Sequence, residues 1–69
     1  MTKTQDLFNR FAYHKPDAAK IVLHQDIRDG AYALAQDIDV FVPDGREKAL
    51  ALTALEEAMM WANAGIARN

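Results

Sequence analysis

The sequence predicts an all-α protein, a short N-terminal helix followed by a long antiparallel helical hairpin, assembled as a compact helical homo-oligomer. Three observations carry that reading. Two apolar series recur at helical spacing, a proline-glycine break separates them, and the chain is too short for its apolar content. It has 69 residues, enough for one domain spanning 1–69, with 51% hydrophobic residues and no cysteine. A domain of this size buries only about 60% of its unfolded surface. Neither disulfides nor a thiolate zinc site can supplement so small a core. The surplus apolar surface is therefore expected to meet another copy of the chain.

The elements follow in order. At about 4–12, Leu7, Phe8 and Phe11 mark a short amphipathic helix, too small to be stable alone. The first long helix is expected at about 16–41. Pro16 suits a first turn, and Asp17 suits the positive end of the helix dipole. Its apolar positions Leu23, Ile27, Ala31, Leu34, Ile38 and Phe41 step by three or four residues, which is a helical period. Gly30 lies inside and costs about 1 kcal/mol relative to alanine. A break at Asp29-Gly30 and a strand over 38–42 are the alternatives to a continuous helix. A turn at 42–45 follows, because Pro43 forces Val42 out of the helical region. Asp44 is the expected cap of the next helix, with Glu47 completing a variant capping box.

The second long helix, at about 45–67, carries two stripes. Leu52, Leu55, Met59, Ala62 and Ile66 form one; Ala51, Ala54, Ala58, Trp61 and Gly65 form the other. One stripe suffices to pack a hairpin. The second, mostly of small residues, admits the close approach of another helix, and this again calls for an oligomer.

Charge and chemistry remove several function classes. Eight Lys and Arg stand against ten Asp and Glu, a poor balance for a DNA or RNA binder that must neutralise phosphates. No apolar run approaches the ~20 residues of a membrane span. The segment Met1 to Asp6 lacks the apolar core of a signal peptide, and absent cysteines fit a cytoplasmic protein. Serine and cysteine are both missing, so the commonest nucleophiles are too. The glycines Gly30, Gly45 and Gly65 form no phosphate loop. His14 and His24 lie too far apart in sequence for a helical metal pair, and are expected to be one solvent-facing and one turn histidine. A hydrolase built on His14 and Asp17 lacks a second positioned group. The sequence predicts a protein that is not an enzyme and that takes neither cofactor nor metal.

The cations cluster instead. Arg10, Lys15, Lys20 and Arg28 face only Asp17 and Asp26 in that stretch, with Phe11, Tyr13, His14 and His24 interleaved. Cations pair with phosphate, and aromatic faces stack on bases. Such a patch suits a small anionic ligand with flat bases, although a tyrosine at a helix junction also serves structure alone.

Residues 46–68 fit the pattern RExxLAxTxLEEAxMWANAxIAR. In this the chain closely resembles the final helix of the phage anti-CBASS protein two family. Phe11 to Pro16 resembles that family's FxYHxP, and Ile27-Arg28 its central IR pair. The resemblance runs from about Leu7 to Arg68. It implies a homohexamer that captures cyclic oligonucleotides in the host bacterial cytoplasm, without cleaving them, and so keeps CBASS effectors silent. Related hairpins occur in some Thoeris-inhibiting phage proteins.

The resemblance also implies two pocket types. Cyclic dinucleotides such as cGAMP would bind between pairs of protomers through Tyr13 and Arg28, with His14, Lys15 and Gly30 alongside. Cyclic trinucleotides would bind at a three-protomer junction through Arg68, with Trp61. Arg28 stands where some members carry lysine, Gly30 stands at a polar contact position, and Gly45 stands where many members carry a serine cap. Symmetry fits this scheme, because an isologous interface presents each residue twice to a near-twofold ligand. The competing roles are an interface position for Trp61 and a helix-dipole role for Arg68. The rival function is a small helical adaptor that binds a protein partner.

Overall fold

The computed structural model describes Leu7, Phe8, residues 10–12 and residues 17–69. Two long helices, α1 (Ala18–Phe41) and α2 (Arg46–Arg68), pack as an antiparallel hairpin. No strand occurs among the described residues. Leu7, Phe8, Arg10 and Phe11 are helical, and the Ala12 N–H donates to the Phe8 carbonyl at 2.8 Å. Tyr13, His14, Lys15 and Pro16 lie outside the described residues.

Each helix end has a local cause. Asp17 is the N-cap of α1, one position outside the first turn expected for it, and its carboxylate accepts from the Lys20 N–H at 2.8 Å. That bond satisfies one of the helix's orphan donors. The helix runs through Gly30 without interruption. It ends at Phe41, where Val42 turns extended (φ −101, ψ 129) ahead of Pro43.

The turn corrects the expected cap. Gly45, not Asp44, is the N-cap of α2, and no side chain caps that end. Its φ of +156 belongs to a backbone region almost confined to glycine. Asp44 is engaged elsewhere: Lys48 Nζ donates to its carboxylate at 2.9 Å and to the Asp39 carbonyl at 2.7 Å. The Asp39 carboxylate lies 3.0 Å from the same ammonium. One lysine of α2 thus ties the end of α1 to the turn.

The seam between the helices is narrow. Half-buried Ile27, Ala31, Ala35 and Ile38 of α1 meet half-buried Leu52, Leu55, Met59 and Ile66 of α2. At the open end, His24 Nδ1 bonds Asn63 Oδ1 across the seam at 2.9 Å. His24 is therefore neither a solvent-facing nor a turn histidine. Of the apolar positions that set the helical period of α1, Leu23, Leu34 and Phe41 are 49%, 50% and 76% exposed. An apolar face wider than the seam keeps its outer edge in water when a helix has one partner. Ala62 is exposed for the same reason, and so are Ala54, Ala58, Trp61 and Gly65 of the second stripe.

No described residue is fully buried. The surface measures 5677 Å², whereas a compact protein of this mass exposes about 4,300 Å². The hairpin holds its shape through one seam and leaves most of its apolar side chains uncovered.

Candidate functional site

Two grooves flank the seam and share Ala31 and Met59 as floor. At 100° per residue, the walls they draw from α1 lie on opposite sides of Ala31. The grooves therefore open to opposite faces of the hairpin.

The first groove, about 400 Å³, is mostly apolar and carries four polar side chains along its walls. Arg28 and Tyr32 line it from α1, one helical turn apart; Thr53 and Glu56 line it from α2. Ala35 and Leu52 complete the apolar floor. Among the described residues, neither a hydrogen bond nor an ion pair engages Arg28 or Glu56. Arg28 thus presents a whole guanidinium to solvent, and Glu56 an unshared carboxylate.

The second groove, about 290 Å³, is lined mainly by Gly30, Leu34, Leu55, Ala58 and Ala62, with Asp26 at its edge. A methyl group added at Gly30 would meet nothing within 4 Å. The exposed small stripe of α2 continues this face, because Ala54, Ala58 and Gly65 project to the same side of Met59.

The residues expected to bind cyclic dinucleotides are not gathered by one protomer. Arg28 lies in the polar groove and Gly30 in the apolar one, about 200° apart around α1. Tyr13, His14 and Lys15 lie outside the described residues. Trp61 and Arg68 are both exposed. Seven residues apart, they project from the side of α2 away from α1. The Trp61 Nε1–H reaches Glu57 Oε1 at 3.4 Å, a long bond for this pair type.

Sequence reasoning missed Tyr32, Thr53 and Glu56. Tyr32 was within reach, since its spacing of four from Arg28 puts both on one helix face. The α2 partners depend on hairpin register, which the periodicity of either helix leaves open.

Among the described residues, no group of three or more His, Cys, Asp or Glu side chains is placed to hold a metal. None of the described helices is long and apolar enough to cross a membrane. Comparison with curated proteins and with solved structures gives no match. One family does match, described as "Acb2/Tad1, hairpin domain", over residues 3–67. That span takes in α1, the turn, both grooves and all of α2 except its last residue, Arg68. The chain belongs to the Acb2/Tad1 hairpin domain family, a binding family rather than an enzyme family, with an anti-defence role.

Proposed function

We propose that this chain is a phage sponge for cyclic oligonucleotides. It binds cyclic di- and trinucleotide messengers intact, as a homohexamer in the host bacterial cytoplasm, and so denies them to CBASS effectors. The observation that carries this reading is the state of the family-motif arginines. Arg28 and Arg68 lie on different surfaces of the hairpin, exposed and without a hydrogen bond or ion pair among the described residues. A guanidinium left whole suits a phosphate, which it pairs through two parallel hydrogen bonds.

Symmetry gives each arginine its ligand. Two copies of Arg28 about a twofold axis supply two guanidinium groups to the two phosphates of a cyclic dinucleotide. Tyr13 stacks on each base, with His14 and Lys15 beside it. Gly30 faces the opposite side of α1 from Arg28 within one protomer, so its part in this pocket is the backbone it contributes to α1 and not a direct contact beside Arg28. Three copies of Arg68 about a threefold axis serve the three phosphates of a cyclic trinucleotide, with Trp61 alongside.

Separate titrations of the two ligand classes test the scheme. Arg28→Ala leaves a phosphate contact worth about 1.5–3 kcal/mol unmade. Cyclic dinucleotide binding weakens at least tenfold, and trinucleotide binding holds. Arg68→Ala does the reverse. Loss of the same ligand in both variants would overturn the two-pocket assignment. The adaptor reading rests on the exposed Phe41 and Trp61 and assigns no role to the two unpaired arginines; a failure of both nucleotide classes to bind would favour it.

A further inference from the structure

We propose that the polar groove reads guanine: Glu56 and Thr53 take the base edge, Tyr32 takes its face, and Arg28 takes the adjoining phosphate. This deepens the sponge reading and rests on it. The groove holds about 400 Å³, within the range of small-ligand pockets and ample for one nucleotide. Its floor of alanines, Leu52 and Met59 is apolar, suited to the face of a ring. Tyr32 is 67% exposed, so its ring is available to stack.

Glu56 sets the choice of base. A purely basic groove would accept any nucleotide, and a carboxylate in a phosphate site is a cost unless the ligand repays it with donors. An ionised carboxylate is acceptor-only and binds two parallel donors best. Guanine alone among the common bases offers two adjacent donors on its Watson–Crick edge, N1–H and the N2 amino group. Adenine presents its N1 lone pair beside one amino group, so one carboxylate oxygen would face an acceptor. Cytosine has the same defect, and uracil offers one N–H between two carbonyls. Thr53, one helical turn before Glu56 on the same wall, supplies a hydroxyl that can serve the O6 carbonyl or the ribose. Since Glu56 and Arg28 make no ion pair with each other among the described residues, both remain available to the ligand.

Calorimetry on the full-length protein with cyclic di-GMP, cyclic di-IMP and cyclic di-AMP tests this directly. The wild type binds cyclic di-GMP at least tenfold more tightly than cyclic di-AMP. Cyclic di-IMP, which lacks the N2 amino group, falls between them. Glu56→Gln replaces two acceptors by one acceptor and one donor, the complement of adenine, so cyclic di-GMP weakens at least tenfold and the preference reverses. Tyr32→Leu weakens all three ligands alike, because stacking is tolerant of base identity. Equal binding of the three ligands by the wild type would overturn the guanine subsite and leave the sponge standing. Equal loss of all three in Glu56→Gln, with unchanged mass by light scattering, would also overturn the subsite. No binding of any ligand by the wild type would overturn both. Should Glu56→Gln fail to assemble, the ranking of the three ligands on the wild type still decides.

Discussion

The two grooves share a floor and differ in everything above it. One is walled by an arginine, a tyrosine, a threonine and a glutamate; the other by glycine, alanines and leucines, with one aspartate at its rim. A hairpin this thin has two large faces and one seam, so neither face is needed to hold the helices together. Each face is free to specialise. Charged and aromatic side chains suit a ligand with phosphates and bases, whereas a small, apolar surface lets a second backbone come near. On the proposed function, the small apolar face brings protomers together and the polar face presents Arg28 to a ligand held between them.

Overfilling the apolar face has the largest expected effect. Ala58 is exposed in the protomer, so Ala58→Gln disturbs little within one hairpin. At a close helix interface the added volume costs roughly 1–3 kcal/mol per copy. Light scattering should show the hexamer replaced by smaller species, and an unchanged mass would remove the apolar groove from the interface. The complementary change is Arg28→Ala on the polar face. It should leave the mass as in the wild type while cyclic dinucleotide affinity falls tenfold or more. A loss of the hexamer in Arg28→Ala would mean that the two faces are not separable.

The seam beneath both grooves gives a smaller effect. His24→Ala leaves the Asn63 side chain without its cross-seam partner, at about 1 kcal/mol. For a domain of this size that lowers the melting midpoint by roughly 4–8 °C, with binding to either groove unaltered below the transition. The turn gives the smallest. The bond from Lys48 holds the Asp44 carboxyl below its ordinary value. Its contribution is therefore present above the ordinary carboxylate range and fades as pH falls through the lowered value. Asp44→Asn should narrow the stability gap between neutral pH and about pH 3 slightly, with no change in either groove. Urea titrations at the two pH values measure it.

How much of this was legible in the sequence follows from what each signal depends on. The hairpin was, because Pro43 and two helical periods are local features. The second α2 stripe was recognisable as surplus for the same reason. The cap at the turn was misassigned: Asp44 and Gly45 are both plausible caps, and only the reach of Lys48 to Asp39 and Asp44 decides between them. The period of α1 marks a helix without marking its line of contact, since Leu23, Leu34 and Phe41 satisfy the period and stay exposed. Glu56 stayed hidden as a site residue because its role depends on register against Arg28, a relation between helices that neither helix encodes alone. His24 was misread likewise, because its partner Asn63 lies on the other helix.

Capture without chemistry can be read in one experiment. The intact protein is titrated with a cyclic dinucleotide in a calorimeter, then heat-denatured, and the released ligand is resolved by chromatography. A sponge gives saturable heat at a fixed ratio of ligand to protomer and full recovery of the cyclic nucleotide. Linear nucleotide products that depend on the protein, or the absence of any binding heat, would contradict the sponge reading.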